Sequence, residues 1–217
     1  MTNDKPLNVW LVDDHQLFRA GFRTLLSRVP LLNVTFEASN GADFLKHLKT
    51  EQPDLVFLDI SMPEVDGVQA TQSAIAAYPD IKIVILSMYG EREFYTKLVD
   101  LGIRGFLLKS CDFKEVEMAV AAIRAGDFYF SQELLQQMVF KSSTSTNDNY
   151  DELSEREKDI LTEICGGASN QEIADKLFIS KRTVEKHRAN LMVKTGCSNT
   201  ASLVVFAVKN GLYTISD

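Results

Sequence analysis

The chain has 217 residues, 45% of them hydrophobic and 24% charged, with a formal net charge of −7. This is enough for one large domain or two small ones, in the balance of a soluble globular protein rather than a disordered or fibrous one. No run approaches the ~20 apolar residues that span a bilayer, and the polar start lacks the pattern of a secretory signal, so no membrane role and a cytoplasmic location are expected. Cys111, Cys165 and Cys197 are too scattered for a metal-binding pair and read as reduced packing or surface thiols.

The first 130 residues alternate short apolar runs with helix-length segments. The runs lie at 9–12, 34–36, 55–58, 83–86 and 106–108. Unbroken apolar runs suggest strands covered on both faces, hence a parallel sheet. Between the first two, Leu17, Phe18, Phe22, Leu25, Leu26 and Val29 recur with helical spacing. Five such units predict a doubly wound five-stranded α/β domain over 1–130, ending in a helix over 113–124 followed by Gly126. A short helix over 131–140 leads into Ser-Ser-Thr-Ser-Thr-Asn-Asp-Asn (142–149), which has nothing to bury and reads as a linker, so 131–152 is a connection. Residues 153–217 hold no strand-like run and read as four helices beginning near Ser154, Ser169, Ser180 and Ser198, with a short turn at 178–180.

The residue after each strand carries the chemistry. Asp13 and Asp14 follow the first run, Asp59 the third, Ser87 the fourth and Lys109 the fifth. In the flavodoxin-like order 2-1-3-4-5, the carboxyl ends of these strands converge at the switch point, where open α/β sheets bind ligands. Three crowded carboxylates need a cation, and an all-oxygen set suits Mg²⁺. With an ammonium and a hydroxyl added, the set fits phosphoryl transfer to an aspartate. Any one of these residues alone would read as an ordinary polar strand end. His15 reads as a surface or helix-start residue.

The charge is divided along the chain. Residues 1–130 carry −5, 131–152 carry −3 and 153–217 carry +1, yet 176–194 alone carries +5. A helix over 181–194 places Val184 and Leu191 on one face, with Arg182, Lys186, Ala189 and Val193 opposite and Glu185 beside them. A solvated cationic face is the plain reading. A preceding scaffold helix and turn (Ile173, Ala174, Leu177, Ile179) favour a recognition helix in a major groove instead. On it, Lys186 is assigned to base edges and Lys181 and Lys194 to phosphates. The last helix has two apolar faces, Leu203-Phe206-Ala207 and Ala201-Val204-Val205-Val208, where a surface helix needs one. The second suggests a partner, most simply the same helix of another subunit.

Val-Asp-Asp-His (12–15), Leu-Asp-Ile-Ser-Met-Pro (58–63) with Asp66-Gly67, Leu-Ser-Met-Tyr (86–89) and Gly-Phe-Leu-Leu-Lys-Ser (105–110) resemble the receiver domains of two-component response regulators. The resemblance implies that Asp59 is the phosphoacceptor, that Asp14, Asp59 and the Ser61 carbonyl hold Mg²⁺ with Asp13 alongside, and that Lys109 binds the phosphoryl group. Ser87 and Phe106 match the switch pair, Phe106 standing where Tyr is frequent. Leu-Ser-Glu-Arg-Glu (153–157), Ser-Asn-Gln-Glu-Ile-Ala (169–174) and Ile-Ser-Lys-Arg-Thr-Val-Glu-Lys-His (179–187) resemble the LuxR-type helix-turn-helix domains of NarL/FixJ-type regulators. There the positions of Glu185, Lys186 and Ala189 face the bases, and Lys is frequent where this chain has Glu185.

The expectation is a transcription regulator, not an enzyme beyond assisting its own phosphorylation and dephosphorylation. Its expected partners are a sensor histidine kinase, duplex DNA, RNA polymerase and, when phosphorylated, a second copy joined through Ala201, Val205 and Val208. Arg182, Glu185, Lys186, Ala189, Lys181, Arg188 and Lys194 are its expected DNA contacts. A small-molecule phosphatase would need a cap or insertion to hold a substrate, and the chain shows none. A receiver fused to a protein-interaction bundle would lose duplex binding and keep its partner.

Overall fold

The computed structural model describes residues 5–88, 94–131, 153–197 and 199–214. In the first domain β1 (Leu7–Val12), α1 (Gln16–Leu26), β2 (Leu32–Ala38), α2 (Gly41–Leu48), β3 (Leu55–Asp59), α3 (Gly67–Ala77), β4 (Ile83–Ser87), α4 (Tyr95–Leu101), β5 (Gly105–Leu108), α5 (Phe113–Ala125) and β6 (Tyr129–Phe130) follow in turn. The sheet runs β2-β1-β3-β4-β5-β6, all parallel. The order 2-1-3-4-5 is as the sequence predicts, and the sheet has six strands rather than five. The extra strand is two residues long, too short for a periodic signal.

Alternation along the strands divides the core. Val9, Leu11, Leu55, Phe57, Val84, Leu86 and Leu107 face the α1 and α5 side with Phe22, Leu26 and Val120. Trp10, Val12, Val56, Leu58, Ile83, Ile85 and Phe106 face the α2, α3 and α4 side with Phe44, Val68 and Leu98. Strands buried on both faces have no polar alternation to show, which is why they read as unbroken apolar runs. In α1, Leu17 is 89% exposed although it reads as part of the apolar stripe. At 100° per residue it lies about 145° from the centre of that stripe, which Phe22, Leu26 and Val29 define.

The second domain consists of α6 (Glu155–Cys165), α7 (Asn170–Lys176), α8 (Lys181–Thr195) and α9 (Thr200–Lys209). Ser154 with Glu157 and Ser169 with Glu172 form capping boxes, and Ser180 caps α8 by accepting from the Thr183 N–H. The fourth cap is Asn199, one residue beyond the position read from sequence, and Ser198 lies outside the described residues. Ile160, Leu161, Ile173, Val184, Leu191, Leu203 and Ala207 close the core. The helix expected over 131–140 and the linker over 142–149 lie almost wholly outside the described residues. Among the described residues no helix is long and apolar enough to cross a membrane.

α9 packs on α6, α8 and also α4 of the first domain, so one apolar cluster runs from the sheet into the second domain. The Asn199 amide donates to the Val99 carbonyl at 2.7 Å, tying the start of α9 to α4.

Candidate phosphoacceptor site and nucleic-acid interface

Parallel register sets the first site. Val12 pairs with Leu58, Asp59 with Leu86 and Ser87 with Leu108, so Asp13, Asp59, Ser87 and Lys109 arrive together at the carboxyl edge. The Asp66-Gly67 step keeps the following loop close. Asp66 caps α3 by accepting from the Gln69 N–H at 2.8 Å, and the Gly67 N–H donates to the Ile60 carbonyl at 2.8 Å. A Cβ on Gly67 would meet the Asp59 carbonyl oxygen at 2.0 Å, so no side chain fits there.

Lys109 Nζ lies 2.9 Å from Asp13 Oδ2 and 2.9 Å from Asp59 Oδ2, and all three side chains are almost wholly buried. Burial alone would lower the Lys109 ammonium; the two carboxylates outweigh it and hold the group above the ordinary lysine value. Asp14 is exposed and lines the same hollow as Ser61, while His15 stands at the N-cap position of α1 with Nδ1 2.9 Å from Asp14 Oδ1. One ligand atom each of Asp13, Asp14, His15 and Asp59 lies within 4.8 Å of the others. Three carboxylates around one ammonium leave a net negative hollow rich in oxygen donors, a fit for a hard divalent cation.

Ser87 is buried and its hydroxyl donates to the Met88 carbonyl at 2.9 Å. Phe106 is also fully buried, its ring 4.7 Å from that of Tyr95 in an edge contact. Phe106, matched to the switch pair, therefore already lies inside the fold in this structure. An all-carbon ring has no hydroxyl to keep near water, and the pocket beside Tyr95 on α4 already encloses it.

On α8 the sequence-assigned residues divide. Lys181, Arg182, Glu185, Lys186 and Ala189 are exposed on one surface. Arg188 is not free for DNA. It donates to Asn170 Oδ1 at 2.7 Å and Thr200 Oγ1 at 2.6 Å, joining α7, α8 and α9. Burial pulls its guanidinium below the ordinary arginine value, opposed by Asp127 of the first domain. Lys194 lies 2.7 Å from the buried Glu157 carboxylate, so the structure gives it a fold-holding partner rather than a phosphate-reading role. Val205 and Val208, read as a dimer face, are buried within this chain, on the helix that packs on α6, α8 and α4. The side chain of Ala201, the third residue of that reading, lies outside the described residues.

The Glu157–Lys194 pair carries a pH dependence. Burial pushes the Glu157 carboxyl up, but Lys194 and the N–H and hydroxyl of Ser154 outweigh it and hold it at about 2. The folded value lies below the unfolded one, so the stabilisation is complete above about pH 4.5 and is lost as the pH falls toward 2. Lys194 is one-third exposed, so solvent screens part of the pair. Lys194→Ala is expected to destabilise the second domain by about 1–3 kcal/mol at neutral pH, with the difference from wild type shrinking below pH 4. Urea unfolding across that range measures both.

A six-stranded parallel sheet with an acidic, lysine-bridged carboxyl edge, joined to a four-helix unit with an exposed basic helix, defines a receiver coupled to a DNA-binding module. Comparison with known proteins agrees. Residues 9–121 match the response regulator receiver domain, and 151–207 match the bacterial regulatory proteins of the luxR family. The chain belongs to the response regulators that pair these two domains, a family of DNA-binding regulators rather than metabolic enzymes. It is 35% identical to the response regulator GacA of Pseudomonas protegens over 97% of this chain and 99% of that one. It is 33% identical to the uncharacterized transcriptional regulatory protein YhcZ of Bacillus subtilis over 95% and 97%. Among solved structures it resembles the response regulator ChrA of a heme-sensing two-component system, with a TM-score of 0.54, 31% identity and coverage of 95% and 98%. It also resembles the RcsB response regulator of Salmonella typhimurium, with a TM-score of 0.58, 27% identity and coverage of 91% and 97%.

Sequence reading missed Asn199, Val99 and Asp127. They meet their partners across domains, with Asn199 and Val99 separated by 100 residues, and no local pattern encodes such a contact.

Proposed function

We propose that this protein is a cytoplasmic transcription regulator switched by transfer of a phosphoryl group from a sensor histidine kinase to Asp59. The receiver would occupy 1–130, the connection 131–152 and the DNA-binding domain 153–217. The observation that carries the reading is Lys109, held 2.9 Å from both Asp13 and Asp59 at the carboxyl edge of the sheet. Asp59 is the nucleophile, Lys109 compensates charge on the incoming phosphoryl oxygens, and the Ser87 hydroxyl turns from the Met88 carbonyl toward them. Asp14, Asp59 and the Ser61 carbonyl, with Asp13 alongside, would hold Mg²⁺, which when bound neutralises the carboxylates and withdraws charge from the phosphoryl group. Catalysis by this chain is confined to forming and hydrolysing its own aspartyl phosphate.

The arrangement with α9 against α4 is the resting form in this reading. Phosphorylation weakens the contact, frees the face bearing Ala201, Val205 and Val208 to meet a second copy, and presents two α8 helices to an inverted-repeat site where RNA polymerase is regulated. Incubation with acetyl phosphate followed by borohydride trapping and mass spectrometry is expected to label Asp59, only with a divalent metal present. Full labelling of Asp59→Ala would sink the assignment. For the DNA contact, Lys186→Ala is expected to cost about 1–3 kcal/mol and relax preference at one base position per half-site. Equal weakening on every one-base variant would place α8 across the backbone instead.

A further inference from the structure

The turn between α7 and α8 carries a residue ill suited to its place by two independent measures. Phe178 is 94% exposed, so its ring gains nothing from burial. Its backbone is left-handed, with φ +55, a conformation that crowds the Cβ of a bulky side chain and that Gly or Asn adopts more cheaply. The turn is not loose. The Ile179 N–H donates to the Ala174 carbonyl at 3.0 Å, and Arg156 on α6 donates to the Leu177 carbonyl at 2.6 Å. The ring is therefore held out into solvent by a fixed support. Backbone strain with no internal return points to function.

The neighbourhood names the occupant. Ser180 caps α8 two residues later, so the ring stands at the end of the helix that enters the groove. Lys181, Arg182 and Lys186 are exposed beside it and, among the described residues, pair with no carboxylate. An aromatic ring set among unpaired cations suits a polyanion with apolar surface between its charges. Duplex DNA offers deoxyribose C–H surface between phosphates, and contacts to sugar and phosphate fix the register of a bound helix. We infer that Phe178 packs against the sugars flanking the groove and sets how deeply α8 inserts, the cations beside it taking the phosphates.

This rests on the reading of the second domain as DNA-binding, and the test separates the two. The full chain, treated with acetyl phosphate and Mg²⁺, first selects a short duplex from a randomised pool; failure of the wild type to recover any duplex overturns the DNA-binding reading itself. On the recovered duplex, Phe178→Gly is expected to bind about tenfold more weakly, roughly one good contact, while its melting temperature equals or exceeds that of the wild type because the strain is relieved. Its dependence on salt is expected to match wild type, since no ionic contact is removed, whereas Lys181→Ala flattens that dependence. Phe178→Trp is expected to keep wild-type affinity. Wild-type affinity in Phe178→Gly overturns the inference, and if transcription were nonetheless lost, the ring would belong to a protein partner. A flattened salt dependence in Phe178→Gly also overturns it, because the ring would then act only by placing the cations.

Discussion

Lys109→Met is expected to destabilise the receiver by about 3–5 kcal/mol at neutral pH in the absence of divalent metal. Lys109 Nζ bridges Asp13 and Asp59 at 2.9 Å each, and neither carboxylate side chain is more than 1% exposed. Methionine matches the aliphatic stem and removes only the charge, so packing loss contributes little. What remains is two buried carboxylates facing each other without their shared cation, and low polarisability of the surroundings magnifies the repulsion. Divalent metal is then expected to stabilise the variant more than the wild type, because an ion binding only the folded state adds stability by mass action, and the variant offers it a less compensated hollow. Urea unfolding with and without Mg²⁺ gives both numbers. Wild-type stability of the variant in metal-free buffer would show that the ammonium is not what offsets the two acids.

Asn199→Asp is expected to raise the DNA affinity and dimer fraction of the unphosphorylated protein about five- to thirty-fold, from a contact energy of about 1–2 kcal/mol. The substitution separates two roles of one side chain. Asn199 Oδ1 caps α9 by accepting from the Ser202 N–H at 2.9 Å, while Nδ2 donates across the domains to the Val99 carbonyl at 2.7 Å. Aspartate caps a helix as well as asparagine does, so α9 stays formed. It has no N–H to donate, and it sets an anion against a carbonyl oxygen. Sedimentation and duplex titration without phosphodonor measure the result. Unchanged values, with thermal stability of the second domain intact, would mean that the α4–α9 contact does not restrain the protein.

The receiver was legible because its signals are local. Unbroken apolar strands each ending in a polar residue fix both the sheet and its reactive edge, and Asp13, Asp59, Ser87 and Lys109 meet where strand register puts them. The first three helix caps of the second domain, Ser154, Ser169 and Ser180, were legible for the same reason. The roles of charged residues on α8 were not. A helical wheel separates faces but does not say which neighbour a long side chain reaches. Lys194 lies on a basic helix and is drawn to Glu157, 37 residues earlier; Arg188 is drawn to Asn170 and Thr200. The second apolar face of α9 did announce a partner, and a wheel has no means of telling a second chain from the other domain of the same one. Phe106 likewise matched a switch position, and only the surrounding packing revealed that its ring was already inside.

The bond from Asn199 to Val99 makes the two ends of the molecule answerable to each other. Linkage runs in both directions: any free energy that phosphorylation delivers to DNA binding, bound DNA must return to the phosphorylation equilibrium in equal amount. An operator is then more than a destination. On the function proposed above, by favouring the arrangement in which α9 has left α4 it would raise the equilibrium share of molecules that keep a phosphoryl group on Asp59, and promoters would compete for the signal as well as for the protein that carries it.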